Sequence, residues 1–140
     1  MTKDFRFSHR LKVRYSEIDG QKIVFNAHYM TYIDVAVTEY FQEGLNLGIG
    51  DSDFDFVVAK STLEYKRPAL LNDWLTIRCR MGKVGNASMK MNCIITRDDE
   101  ESPLLKAEII YVSYNPETKT ARPIPNFVRE RIEQFEHGDL

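Results

Sequence analysis

The sequence is poor in the residues that metal centres, disulfide scaffolds and membrane anchors require. Only two cysteines (Cys79 and Cys93) and three histidines are present. Neither type shows metal-ligand spacing, so no metal and no other cofactor is expected. Both cysteines sit in strand-like runs and read as packed core thiols. No apolar run approaches the roughly 18 residues of a membrane-spanning helix. The opening Met1-Thr2-Lys3-Asp4-Phe5-Arg6 is charged and lacks the apolar segment of a signal peptide, so a cytoplasmic protein is expected. A net charge of −2 gives no basic excess and no reason to expect a nucleic-acid partner, although scattered Lys and Arg can still meet a phosphorylated ligand. There is no internal repeat or low-complexity segment. At 140 residues, the expectation is one domain spanning 1–140 with a sizeable core.

What is present is a clear succession of patterns. Phe5 to Tyr15 alternates apolar and polar residues at period two, the mark of a half-buried strand. From Tyr29 the apolar positions are 29, 32, 33, 36, 37, 40 and 41, the stripe of a helix of about four turns, with Gly44 placed to end it. Residues 45–55 form a Gly- and Asp-rich loop anchored by Leu47 and Ile49. Its run Asp51-Ser52-Asp53-Phe54-Asp55 lacks the glycine and distal glutamate of a calcium loop and reads as solvated. Four strands follow: Phe56 to Tyr65, Trp74 to Val84, Ala87 to Arg97 and Leu104 to Asn115. Pro68, Gly85-Asn86 and Asn115-Pro116 punctuate them. A last helix, roughly Asn126 to Glu136, turns Phe127, Ile132 and Phe135 to an apolar side. One strand, one long helix and an antiparallel meander imply an α+β, two-layer architecture.

The stretch Tyr15 to Tyr29 joins the first strand to that helix. Gly20 supplies backbone freedom directly after Asp19. The first turn of a helix leaves backbone N–H groups unpaired and partly positive. A carboxylate beside such donors suits acyl chemistry: the donors polarise a carbonyl oxygen while the carboxylate attacks the carbon or activates water to do so. Read from the residues alone, Asp19 fits better a turn or N-cap aspartate that satisfies local N–H groups.

Val13-Arg14-Tyr15, Glu17-Ile18-Asp19 and Ile23-Val24-Phe25-Asn26-Ala27-His28-Tyr29 together resemble the opening signature of hotdog-fold acyl-CoA thioesterases. The branch resembled includes 4-hydroxybenzoyl-CoA thioesterase and the thioesterases of the Tol–Pal system. Thr38-Glu39-Tyr40, Phe56-Val57-Val58-Ala59-Lys60, Leu75-Thr76-Ile77 and Ala121-Arg122-Pro123-Ile124-Pro125 extend the likeness along nearly the whole chain. The resemblance implies a hotdog fold, an antiparallel sheet wrapped around one long central helix. It also implies hydrolysis of an acyl-CoA to free acid and thiol without a metal, and a homo-oligomer: a dimer joined sheet edge to sheet edge with its sites at the interface, or a tetramer of such dimers.

By the same resemblance Asp19 is the catalytic carboxylate, as nucleophile or as general base. Asn26 supplies the backbone N–H that meets the thioester oxygen. Tyr15 and His28 flank the site, Phe25 is a candidate pocket wall, and Phe54, Phe56 and Trp74 are further candidates. Lys22 stands where relatives carry glycine, so either the backbone differs there or its ammonium contacts substrate. Glu17 reads as a salt-bridging or shaping residue. Glu39, a helical carboxylate of the kind another thioesterase branch uses, reads as structural. Lys66, Arg67, Lys83 and Arg122 lie beside strand ends; of these Arg67, Lys83 and Arg122 are the candidates for the phosphates of coenzyme A. A hydratase would place His five residues after the aspartate, where Val24 stands. The alternatives are a non-catalytic domain that binds acyl thioesters and a thioesterase acting on acyl carrier protein.

Overall fold

The structure, a computed structural model, describes residues 4–48, 54–98 and 100–138. Ile49 and most of the acidic run at 51–55 lie outside the described residues. The order of elements is β1 (Phe7–Lys12), a 3-10 turn (Tyr15–Glu17), α1 (His28–Glu39), β2 (Phe56–Tyr65), β3 (Trp74–Val84), β4 (Ser88–Arg97), β5 (Pro103–Asn115), β6 (Thr120–Ala121) and α2 (Asn126–His137). The strands pair antiparallel in the order β1-β3-β4-β5-β2, with the short β6 added to β5. This is an α+β arrangement of a curled antiparallel sheet and two helices.

Strand register explains the core. Phe7, Cys79, Cys93 and Ala107 stand opposite one another across β1, β3, β4 and β5, as do Ile77, Ile95 and Leu105, and Met81, Met91 and Ile109. All are buried. Because alternate residues share a face, these rows make one continuous apolar surface. α1 buries Tyr29, Tyr32, Ile33, Ala36 and Val37, the stripe read from the sequence. Cys79 and Cys93 are free, with sulfurs 3.7 Å apart. Hydrogen bonding between them, and then burial, push the Cys79 thiol well above its ordinary range.

The helix departs from the four turns expected. α1 is 12 residues long and passes into a π-helical turn, Tyr40–Gly44. The left-handed residue after it is Asn46, φ 56°, rather than Gly44. Gly44 packs beside the rings of Phe7 and Phe135, where an added Cβ would make ordinary contacts at 3.4 and 3.5 Å. The first strand is also shorter than its alternation. It stops at Lys12, and the 3-10 turn then leaves Tyr15 78% exposed. In α2 the buried positions are Val128, Ile132 and Glu136, while Phe127 is partly exposed. Phe54 and Phe56 pack into an aromatic cluster with Phe41 and Tyr111. Trp74 lies beneath the Arg10 guanidinium, 4.0 Å from its ring centre.

Candidate active site

Between the 3-10 turn and α1 the chain doubles back as a small hairpin. The Glu17 carbonyl accepts from the Phe25 N–H at 2.9 Å, and the Asp19 N–H donates to the Ile23 carbonyl at 2.9 Å. The Lys22 N–H closes the tip on the Asp19 carbonyl at 2.9 Å. One Asp19 carboxylate oxygen accepts the Gln21 N–H at 2.8 Å, the local bonding of a turn aspartate. The tip requires a left-handed residue, and Lys22 is that residue, φ 66°. The freedom expected of Gly20 is therefore exercised two positions later.

The outgoing limb of this hairpin is held on its other side by the segment after β2. Val24 donates to the Ala69 carbonyl at 2.9 Å, and the Ala69 N–H donates to the Tyr29 hydroxyl at 3.0 Å. Between the two segments opens a cleft of about 400 Å³ lined by Asp19, Gln21, Ile23, Val24, Phe25, Asn26, Tyr29, Tyr65, Lys66, Arg67 and Pro68. A second groove of about 490 Å³ crosses the sheet near Thr62, Asn92 and Glu108.

The cleft combines a carboxylate with an unused donor. Among the described residues the Asn26 N–H has no acceptor, and α1 opens at Ala27 with no side-chain cap. The Tyr65 hydroxyl donates to the Asn26 carbonyl at 3.3 Å, and its ring meets Tyr29 edge-on at 5.6 Å. Burial raises the Tyr29 phenol above its ordinary value, so the aromatic wall is uncharged. At the rim, Arg67 Nη2 donates to Glu100 at 2.7 Å and to the Ser102 carbonyl at 2.8 Å. That hydrogen bond and charge hold the Glu100 carboxyl below its usual range. Lys66 has only a 3.3 Å contact with the exposed Glu64, which leaves it the more available cation.

Of the residues singled out in the sequence, Asp19, Phe25, Asn26 and Arg67 share this cleft. Tyr15 and Lys22 line a neighbouring depression with Ile18, Gly20 and Leu71, and Asp19 borders both. His28 begins α1, with its ring edge-on to Phe25 at 6.1 Å. Lys83 and Arg122 lie at the far end of the sheet. Lys83 is near the end of β3 remote from Trp74, and Arg122 donates its N–H to Ser113, opposite Phe56 at the end of β2 remote from Tyr65. Strand rise puts that end about 30 Å from the cleft. The sequence reading missed Tyr65 as a site residue and took Tyr29 for core alone. The available signal was position, since Tyr65 ends a strand just before the Lys66-Arg67-Pro68 break. Among the described residues no three His, Cys, Asp or Glu side chains converge as a metal site would need, and no helix is long and apolar enough to cross a membrane.

Known proteins are similar to this chain in sequence and fold. The profile of the thioesterase superfamily matches residues 21–104, beginning two residues beyond Asp19. The long-chain acyl-CoA thioesterase FadM of Escherichia coli K12 is 27% identical over 127 residues, covering 90% of this chain and 96% of FadM. The acyl-CoA thioester hydrolase YbgC of Escherichia coli O6:H1 is 26% identical, covering 89% and 93%. A crystal structure of a thioesterase from Thermus thermophilus, complexed with coenzyme A and Zn, superposes with a TM-score of 0.84 at 28% identity, covering 99% of each chain. The profile spans more than half of the sequence, and the fold agrees over almost all of it. The chain therefore belongs to the thioesterase superfamily, as a hotdog-fold thioester hydrolase.

Proposed function

We propose that this protein hydrolyses an acyl-CoA to the free acid and coenzyme A, with the whole chain acting as one hotdog domain whose sheet wraps α1 as its central helix. The observation that carries the reading is the meeting, in one aromatic-walled cleft, of the Asp19 carboxylate and the unpaired Asn26 N–H. In the proposed reaction the thioester carbonyl oxygen accepts from that N–H, next to the positive end of α1. The Asp19 carboxylate then either takes a proton from water as the water attacks the carbonyl carbon, or attacks that carbon itself. The first route gives the acid directly. The second gives a mixed anhydride that water opens. In both, the carbon–sulfur bond breaks and the thiolate leaves to be protonated. Phe25, Tyr29 and Tyr65 are the proposed acyl walls, with Lys66 and Arg67 at the phosphate side.

The same proposal includes a dimer. β2 is an edge strand carrying Val57 and Val58, 43% and 48% exposed. A long apolar edge needs a partner strand, and two copies related by a two-fold axis pair that edge antiparallel. The Phe56 end of one copy, bearing Arg122, then comes beside the Tyr65 end of the other. Arg122 has two buried guanidinium nitrogens without hydrogen-bond partners, one of them 4.0 Å from the Asp55 carboxylate, which leaves room for an acceptor from the second copy or its substrate. Two free thiols at 79 and 93 are in keeping with a cytoplasmic location.

The test is thiol release from short, long and aromatic acyl-CoAs by wild type and Asp19→Asn. Release by wild type with a drop of at least about a hundredfold in the variant supports the assignment. Binding without turnover on every member favours an acyl-thioester-binding domain, or a substrate borne on acyl carrier protein. Equal activity of the two proteins removes Asp19 from the mechanism and makes Glu39 the next residue to change.

A further inference from the structure

The residue two positions before Asp19 is held more tightly than a surface salt bridge requires. Glu17 is only 4% exposed, and its two oxygens collect four donors. Oε1 accepts the Arg14 N–H at 2.8 Å and the Tyr32 hydroxyl at 2.8 Å. Oε2 accepts Nε of Arg14 at 3.0 Å and also its Nη2. Arg14 is itself mostly in water, whereas Tyr32 is buried on α1. The Glu17 backbone takes part as well, since its carbonyl accepts the Phe25 N–H at 2.9 Å, one residue before Asn26.

We propose that Glu17 is the positioning residue of this site, setting the Asp19 carboxylate and the Asn26 N–H at a fixed separation and tying both to α1. The covalent geometry makes the argument. Asp19 follows Glu17 by two residues on the incoming limb of the hairpin, and Asn26 follows by one the residue that Glu17 holds on the outgoing limb. The Tyr32 hydroxyl then fixes this crosspiece to the second turn of the helix whose N-terminus Asn26 precedes. A carboxylate is required because the place is buried and crowded with donors. A neutral side chain would leave donors unpaired, and a shorter one would not span Arg14 and Tyr32 together. Glu17 touches neither cleft, so it acts only through the residues it holds. An error of about 1 Å between nucleophile and oxyanion donor is enough to slow turnover by about a hundredfold.

This inference rests on the proposed roles of Asp19 and Asn26, and two readouts keep the two apart. The first is amide hydrogen exchange of wild type, Glu17→Gln and Tyr32→Phe without substrate. Faster exchange is expected at Asp19, Lys22 and Phe25 in both variants, with β3 to β5 unchanged. Unchanged protection of that hairpin overturns the inference whether or not the protein is active. The second is the kinetics of the same variants on the best acyl-CoA, below their melting temperatures. We expect kcat to fall about tenfold or more with KM within about twofold, and the double variant to be little worse than either single one, because both act on one crosspiece. Variants that melt earlier but keep wild-type kcat would show Glu17 to be structural only. Failure of Asp19→Asn to lower activity, with the exchange result standing, would sink the catalytic reading and leave the role of Glu17 in ordering the hairpin intact.

Discussion

The Tyr40 hydroxyl donates to the buried carboxylate of Glu136 at 2.6 Å, joining the π-helical turn after α1 to the end of α2. The same Glu136 oxygen accepts the Met81 N–H from β3 at 2.9 Å. One carboxylate thus ties three elements together where the chain widens from α-helix to π-turn. Burial, then the charge of Glu136, pushes the Tyr40 phenol far above its ordinary value, so the hydroxyl stays a donor. Tyr40→Phe keeps the ring packing against Phe7 and Phe135 but removes one of the donors to a buried charge. The expected loss is about 1–3 kcal/mol by urea denaturation, with the kinetics of the distant cleft unchanged. A loss within experimental error would show that water replaces the phenol.

Lys22 gives a prediction of opposite sign. Its φ of 66° lies in the left-handed region, where a non-glycine residue costs roughly 1–2 kcal/mol. Glycine relieves that cost but adds freedom to the unfolded chain. Lys22→Gly is therefore expected to stabilise by about 0.5–1 kcal/mol, and Lys22→Val, β-branched, to destabilise. Paired thermal melts decide it. If the lysine ammonium also contacts substrate from the neighbouring depression, Lys22→Gly will raise KM while it raises Tm.

These two sites show where the sequence was readable and where it was not. Strands β2 to β5 follow from local signals, the turn residues Pro68, Gly85-Asn86 and Asn115-Pro116 that punctuate them, and α2 from its own apolar positions. That Asp19 and Asn26 border one cleft was legible because their motif is contiguous, and the hairpin that joins them is local as well. Tyr65, Lys66 and Pro68 enter the cleft through the Ala69 pairing with Val24 and Tyr29, a contact some forty residues long that no spacing rule contains. Glu136 was hidden for a related reason. Its partners Tyr40 and Met81 lie on two other elements, so the sequence presents only a glutamate near the end of an amphipathic helix. The π-turn was hidden too, since the apolar stripe continues smoothly through Tyr40 and Phe41 and carries no mark of the wider backbone.

The two cations at the rim of the cleft should separate by substrate. Arg67 is engaged with Glu100 and the Ser102 carbonyl, whereas Lys66 holds only an exposed carboxylate at 3.3 Å. If Lys66 meets the coenzyme A phosphates, Lys66→Ala will raise KM for an acyl-CoA several-fold and leave KM unchanged for the same acyl group on a short uncharged thiol. The effect on acyl-CoA will shrink as ionic strength rises. Arg67→Ala is expected to lower stability modestly through the lost tie to residues 100–102, with a smaller change in KM. A larger KM effect from Arg67 than from Lys66 on acyl-CoA would mean that substrate displaces Glu100.

Glu17 makes acid stability a test of the site's frame. Burial alone would raise its carboxyl, but the hydrogen bonds from Arg14 and Tyr32 outweigh burial and hold it below the usual glutamate value. The unfolded chain therefore takes up this proton at a higher pH than the folded one, near the ordinary value of about 4.3. In that interval the unfolded state binds more protons, so stability falls with falling pH. The contribution is complete above the unfolded value and disappears as pH drops through the folded one. Glu17→Gln should accordingly be less stable than wild type at pH 7, with the difference narrowing from about pH 5 downward. Glu100 is also held below its usual range, by Arg67, but it is exposed, where solvent screens the pair. Glu100→Gln should differ little from wild type at any pH. Urea titrations of the three proteins between pH 3 and 7 decide the matter: a Glu17→Gln difference that does not change with pH would mean that shape, rather than charge, is what this position supplies.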